Sequence, residues 1–191
     1  MTTARLEAFS DGVIAILITI MILELKVPEG DDLGALRPLL PKFMTYVLSY
    51  VLIGIYWSNH HHMLHATGRV DGSVLWANLH LLFWLSLIPV VTGWMGANAT
   101  APVPTAVYGV VQLGCALAWT ILQMRILRLD ANREVLAQAI GGDMKGKLSV
   151  LMYVAAIPSA FVRPWIADAL YAAVALMWLV PDRRIESRLS R

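Results

Sequence analysis

Polar residues bracket a strongly apolar stretch near the start of the chain. Residues 12–23 are apolar except for Thr19, whereas Asp11 and Glu24 stand at the two ends of the stretch. A carboxylate that faces hydrocarbon costs roughly 3 kcal/mol, so a membrane helix with these ends must turn them toward protein or water. The pattern therefore predicts a helix that forms part of the wall of a polar path through a membrane.

The composition of the whole chain favours a membrane protein. Hydrophobic residues make up 58% of the chain and charged residues only 15%, whereas a soluble domain is typically about 25% charged. No Asp, Glu, Lys or Arg occurs from residue 72 to residue 124, a run that holds two spans with a Gly/Pro break between them. The net charge of +2 does not favour a nucleic-acid partner, and the single Cys115 provides neither a disulfide framework nor a thiolate metal site.

Glycine and proline divide the apolar sequence into six predicted transmembrane helices in one all-α domain over residues 1–191. The predicted spans are 4–27, 43–65, 73–95, 105–129, 148–162 and 165–180. Six spans place both termini on one side, and that side carries these Lys and Arg residues: Arg5, Arg69, Arg125, Arg128, Arg133, Lys145, Lys147, Arg183, Arg184, Arg188 and Arg191. The other side carries Lys26, Arg37, Lys42 and Arg163. The positive-inside rule therefore predicts cytoplasmic termini.

One face of the first predicted helix carries Ile16, Thr19, Ile20 and Leu23, which recur at helical spacing. Periodicity alone favours a buried packing stripe. The alternative is a pore wall, in which apolar side chains gate by dewetting and a hydroxyl replaces part of an ion's hydration shell. One chain of six helices has little interior for a pore of its own, so this alternative requires several copies around an axis.

Four histidines lie near the end of the second predicted span, at positions 60, 61, 62 and 65. His61 and His65 are four residues apart and share a helical face, as zinc-binding pairs do. No carboxylate or thiolate lies nearby in sequence, so we expect no protein-bound metal and no cofactor. We favour a helix end at the membrane interface, with one or two histidines hydrogen-bonded to the first helix. A pH-sensing role stays open, because histidine titrates near neutral pH.

The sequence Arg5-x-x-x-Phe9-Ser10-Asp11 resembles the signature of the endolysosomal potassium channel family. The chain is similar to the prokaryotic members of that family, which have one six-helix repeat per chain. The resemblance continues through residues 24–28, then Trp57-x-Asn59-His60-His61, Asn78-x-x-x-Leu82 and Pro89. It covers the first half of the chain, whereas the second half matches only in the number and polarity of its spans.

The resemblance implies a homotetramer in the cell membrane of a bacterium or archaeon, with four first helices around a central pore for potassium ions. It assigns the narrowest layer to Ile16, a further apolar layer to Leu23, and a contribution to potassium preference to Thr19. We include Ile20 with Ile16 and Leu23 in the expected constriction. Glu24 at the outer mouth would add a ring of negative potential that concentrates cations, or would instead form a salt bridge with Lys26 or Lys42.

The remaining polar residues of the signature are expected to support the first helix rather than touch ions. Asp11 needs partners, and Arg5, a histidine of the second span and Asn78 of the third are the candidates. We therefore predict a structural network that holds the first helix against the second and third, made of these residues: Arg5, Phe9, Ser10, Asp11, His61 and Asn78.

Three functions are compatible with the sequence alone. The first is a potassium-permeable cation channel. The second is a secondary or proton-coupled transporter, a class that more often shows sequence repeats, broken helices and acids at mid-membrane. The third is an intramembrane metalloenzyme built on the histidines, which lacks a convincing third ligand and base. We favour the channel and expect the chain not to be an enzyme.

Overall fold

The computed structural model describes residues 2–65, 67–129 and 144–179, and within these ranges the chain is helical with no strand. Two short 3-10 segments, Ile22–Glu24 and Leu33–Leu39, lie between the first two helices. The α-helices are α1 (Thr3–Met21), α2 (Leu40–His65), α3 (Gly72–Ser86), α4 (Ile88–Ala97), α5 (Pro102–Leu129), α6 (Met144–Val162) and α7 (Pro164–Leu179). The predicted all-α class is therefore confirmed for these residues.

The third predicted span is two helices, α3 and α4, which meet at Leu87. Pro89 lies in the first turn of α4. Proline has no backbone N–H to donate to the preceding turn, and its ring clashes with the carbonyl there. A helix that reaches Pro89 therefore ends before it, and a new helix starts with proline in its first turn.

Among the described residues, five helical segments are long and apolar enough to cross a membrane, counting α3 and α4 together as the 26-residue segment Gly72–Ala97. The chain is thus a multi-pass membrane protein. The shorter apolar helix α7 has 16 residues, fewer than the roughly 20 that a perpendicular span needs. Six crossings accordingly remain a prediction. Residue 180 of the last predicted span lies outside the described residues, as do Arg133, Arg183, Arg184, Arg188 and Arg191 of the charge count.

The first helix ends earlier than its sequence pattern predicts. The α-helix stops at Met21 and tightens into one 3-10 turn, and Leu25 is then extended with φ −83° and ψ 100°. Pro28 follows, and the residue before a proline is restricted to extended backbone. Asp32 then starts the next 3-10 segment by accepting a hydrogen bond of 3.0 Å from the backbone N–H of Ala35.

Asp71 starts α3 by the same kind of hydrogen bond. Its Oδ1 accepts from the backbone N–H of Val74 at 3.0 Å and from the hydroxyl of Ser73 at 2.7 Å. Both bonds favour the charged carboxylate, so they lower the pKa of Asp71 from its ordinary value, with the Val74 N–H contributing most.

Two groups of helices make up the core. Helix α1 packs against α2, α3 and α4, whereas α5 packs against α3, α4, α6 and α7. Glycines of α5 let side chains approach its backbone closely. A Cβ at position 114 would overlap the indole of Trp84, and a Cβ at position 109 would overlap the hydroxyl of Tyr171, which donates to the backbone carbonyl of Thr105 at 2.9 Å. Small residues at such contacts are typical of packing between membrane helices.

Candidate functional site

Helix α1 has one buried face and one exposed face. The buried side chains recur every three or four residues and face the other helices of the same chain; they are Leu6, Ser10, Ile14, Leu17 and Met21. The opposite face holds the residues predicted to form the constriction. Ile16 is 56% exposed, Ile20 is 46% exposed and Leu23 is 77% exposed.

The hydroxyl of Thr19 lies on the same exposed face. Its Oγ1 donates back to the carbonyls of Ala15 and Ile16, each at 3.0 Å. The single hydroxyl hydrogen is thus shared within the helix, and a hydroxyl oxygen that donates retains its lone pairs. Thr19 therefore presents an oxygen acceptor in the middle of an otherwise apolar face, where a cation is one possible ligand.

Glu24 lies at the end of this face and is exposed. Its carboxylate packs beside Gly93 of α4, where a Cβ would come within 3.1 Å of Glu24 Oε2. Among the described residues, neither Lys26 nor Lys42 comes within the 4.0 Å that defines a salt bridge to Glu24. The carboxylate is therefore held by packing at the end of the exposed face.

A buried hydrogen-bond chain supports the opposite face of α1. Asn78 of α3 donates from Nδ2 to Ser10 Oγ at 2.9 Å, and Ser10 donates to the carbonyl of Leu6 at 2.9 Å. His60 Nε2 lies 2.7 Å from Asn78 Oδ1. Because an amide oxygen only accepts, Nε2 carries the hydrogen. The side chains of Ser10, His60 and Asn78 are fully buried, so one polar chain joins α1, α3 and α2.

The histidine in this buried chain is His60, whereas His61 was the residue predicted for the network. The signal that identifies it is the buried face of α2, on which Ile53, His60 and Leu64 recur at helical spacing. His61 instead lies 2.7 Å from Glu7, measured from Nδ1 to Oε1.

Asp11 accepts a hydrogen bond of 3.0 Å from the indole of Trp57, which was not among its predicted partners Arg5, Asn78 and a histidine of the second span. The spacing of polar residues on the two helices indicates this pairing. Glu7 and Asp11 are one turn apart on α1, and Trp57 and His61 are one turn apart on α2. Antiparallel packing of α1 and α2 therefore places Glu7 beside His61 and Asp11 beside Trp57. The other two signature residues, Arg5 and Phe9, lie on the exposed part of α1.

The histidines of α2 do not assemble a metal centre in the part of the chain that the structure describes. The His61 and His65 rings stack with centroids 5.9 Å apart. The described residues include no group of three or more His, Cys, Asp or Glu placed to hold a metal ion. The side chain of His61 is engaged with Glu7, as described above.

Comparisons with known proteins agree on the class of protein. A potassium channel of a Chryseobacterium species is 51% identical over 189 residues, 99% of this chain and 98% of the relative. A potassium channel of Chamaesiphon minutus is 29% identical over 86% of this chain and 87% of the relative. The endosomal/lysosomal proton channel TMEM175 of Rattus norvegicus is 28% identical over 71% of this chain and 30% of its own length.

The fold comparison extends over nearly the whole chain. The crystal structure of a lysosomal potassium-selective channel TMEM175 homolog from Chamaesiphon minutus superposes with a TM-score of 0.82 at 25% identity, and the match covers 93% of this chain and 96% of that one. The fold and these relatives define a membrane ion channel rather than an enzyme.

The family described as Endosomal/lysosomal potassium channel TMEM175 matches residues 5–89. This segment contains α1, α2, α3 and the start of α4, the helices that carry the exposed face and its buried support. The chain belongs to the TMEM175 family.

Proposed function

We propose that this chain is the subunit of a homotetrameric, potassium-permeable channel whose pore is lined by the exposed face of α1. One observation carries the proposal: the side chains predicted for the constriction are the ones that α1 leaves uncovered, while its other face is buried in its own subunit. The potassium-channel names of relatives that match over most of their length support the same assignment.

The constriction is assigned to Ile16, with Ile20 and Leu23 following on the same face toward the outer end. Four Ile16 side chains that meet on an axis exclude water from a narrow passage, and an ion cannot enter a passage that water has left. Opening requires α1 to rotate or spread. The buried chain through Ser10 gives α1 a fixed attachment on one side, so movement of the exposed face is coupled to helices α2 and α3.

The potassium preference is assigned to Thr19. Its oxygen lies on the proposed pore face with its hydrogen turned into the helix, so it offers lone pairs to a partly dehydrated cation. Potassium gives up its waters at lower free-energy cost than sodium, so a ring with few oxygen ligands favours potassium modestly. A filter of four carbonyl layers would select more strongly.

Glu24 is assigned to the outer mouth. Four carboxylates around an axis raise the local concentration of cations before they reach the constriction. The positive-inside count gives the orientation of this mouth, with both termini in the cytoplasm of a prokaryotic cell.

Ion flux through the purified full-length chain in liposomes tests the proposal. A channel dissipates a potassium gradient without a coupled substrate, whereas a proton-coupled transporter requires a proton gradient or stops when that gradient is spent. We expect potassium flux with no added co-substrate. Flux that strictly follows a proton gradient would favour the transporter instead.

The Ile16→Asn variant tests the constriction itself. A polar side chain on the axis retains water, so basal potassium flux should rise. Leu151→Asn is the matched control, because Leu151 is 64% exposed on α6, a helix outside the segment that carries the proposed pore. Unchanged flux in Ile16→Asn, or an equal rise in Leu151→Asn, would contradict the assignment of Ile16.

A further inference from the structure

A groove lies between α3 and α5, away from the exposed face of α1. Its volume is about 300 Å³, and its lining residues are Ser73, Trp76, Ala77, His80, Ile121 and Arg125. Because its lining residues belong to the first turns of α3 and the last turns of α5, the groove lies near one end of the helix bundle. Exposed Arg69 and Arg128 belong to the same end, so the groove lies on the more cationic side of the membrane.

One lining side chain of the groove, His80, is held by a packed neighbour, Trp84. Trp84 lies against Gly114 of α5, so closely that a Cβ there would overlap the indole. From that position Trp84 Nε1 donates to His80 Nε2 at 3.0 Å. His80 Nε2 is therefore the acceptor of this bond, which leaves Nδ1 as the nitrogen that can donate to a ligand. The groove thus contains a fixed imidazole donor besides the guanidinium of Arg125.

The charge of the groove favours an anion at its α5 side. Of the carboxylates in the described ranges, none lies within 4.0 Å of the Arg125 guanidinium. Ser73 donates its hydroxyl hydrogen to Asp71 at the far rim, at 2.7 Å. An acceptor group such as a phosphate is therefore best placed beside Arg125 and His80 rather than beside Ser73.

The surface that continues from the groove is apolar and uncovered. Trp76 is 75% exposed and Phe83 is 56% exposed, and the two are seven residues apart on one face of α3. A ligand with a phosphate and long apolar chains matches this combination of a cationic end and an aromatic strip. Cationic pockets between membrane helices are typical sites for anionic lipid headgroups.

We propose that the groove between α3 and α5 binds an anionic glycerophospholipid, with its phosphate at Arg125 and His80 and its acyl chains along Trp76 and Phe83. The site is separate from α1 and does not depend on the channel assignment. It gives the chain a specific lipid partner on its cationic side.

Native mass spectrometry of the full-length protein tests the proposal, after purification with added phosphatidylglycerol or phosphatidylcholine. Wild type should retain phosphatidylglycerol in preference to phosphatidylcholine. Arg125→Gln should lower the retained phosphatidylglycerol about tenfold, the loss expected for one charged hydrogen bond. Arg128→Gln, one turn away on the same helix, is the matched control and should retain the lipid as wild type does.

Four results would overturn the proposal, three of them from the lipid measurements and one from competition with phosphate. The first is equal retention of both lipids by the wild type, and the second is unchanged phosphatidylglycerol retention in Arg125→Gln. The third is loss of subunits from the Arg125→Gln particle, because the groove would then be a contact between copies of the chain. Inorganic phosphate at the same concentration should not displace the lipid, since it lacks acyl chains; displacement would show a simple anion site instead.

Discussion

The side-chain amide of Asn78 lies 2.9 Å from the hydroxyl oxygen of Ser10, deep between α3 and α1. Neither side chain is exposed, and the other end of the Asn78 amide is occupied by His60. A short amide therefore joins the buried face of α1 to two other helices. The position of the whole exposed face of α1 depends on this attachment.

Replacing Asn78 with leucine should destabilise the folded protein by roughly 2–4 kcal/mol. The substitution keeps the volume but leaves the hydroxyl of Ser10 and the imidazole of His60 without their buried partner, and each such loss costs about 1–3 kcal/mol. A thermal unfolding transition of the protein in detergent measures the effect. A variant that unfolds at the wild-type temperature would show that the buried chain does not fix α1.

Glu7→Gln is the matched control for that measurement. Glu7 also joins α1 to α2, through His61, but the His61 side chain is 44% exposed. Exposed ion pairs contribute about 0–1 kcal/mol, so this variant should unfold close to wild type. A loss as large as that of Asn78→Leu would mean that the exposed pair, rather than the buried chain, holds the first helix.

Replacing Gly114 with alanine should destabilise the protein by about 1–3 kcal/mol, the usual cost of forcing extra volume into a packed contact. The new Cβ overlaps the indole of Trp84. Gly54→Ala in α2 is the control, because nothing lies within 4 Å of a Cβ there, and alanine favours the helix over glycine. Gly114→Ala should unfold at a lower temperature than Gly54→Ala, and equal unfolding temperatures would contradict the close contact between Gly114 and Trp84.

Replacing Thr19 with valine should lower the ratio of potassium to sodium permeability. Valine keeps the shape of threonine but removes the oxygen acceptor from the proposed pore face. Reversal potentials under bi-ionic conditions measure the ratio. Thr120→Val on α5 is the control, since Thr120 makes the same kind of backbone hydrogen bond, to Ala116 at 2.9 Å, away from α1. A ratio that changes equally in both variants would remove Thr19 from the selectivity layer.

Replacing Asp71 with alanine should lower the unfolding temperature at pH 7, and this effect should shrink as the pH falls below about 4. The hydrogen bonds from Val74 and Ser73 lower the folded-state pKa of Asp71. The stabilisation is therefore present above the unfolded pKa, about 3.9, and is lost as pH falls through the lower folded value. Ser73→Ala is the control, because it removes only one of the two hydrogen bonds to Asp71 and should lower the unfolding temperature at pH 7 by less than Asp71→Ala does.

The sequence predicts the elements of this fold better than their rotation about their own axes. Apolar runs and Gly/Pro breaks predicted the helical segments of the described ranges, because burial in a membrane requires long apolar helices. Pro89 is the exception: it was read as part of one span, yet it divides that span into two helices.

The rotation of each helix was harder to predict, since a helix that is apolar on all sides gives little contrast between its faces. Adjacent residues on a helix point about 100° apart, so His60 faces Asn78 in the buried chain while His61, the residue named from the sequence, faces Glu7 of α1. Trp57 was missed because an indole in an apolar span usually indicates packing. Its role becomes visible only when α1 brings Asp11 beside it.

The division of α1 into a covered and an uncovered face has a consequence for how such a chain evolves. Side chains on the uncovered face contribute little to the stability of the subunit, so their replacement does not threaten folding. If this face lines the pore as proposed, single substitutions on it can change ion preference or basal flux without disturbing the residues that anchor the helix. In the proposed channel, permeation and foldability are therefore encoded by residues on opposite faces of α1.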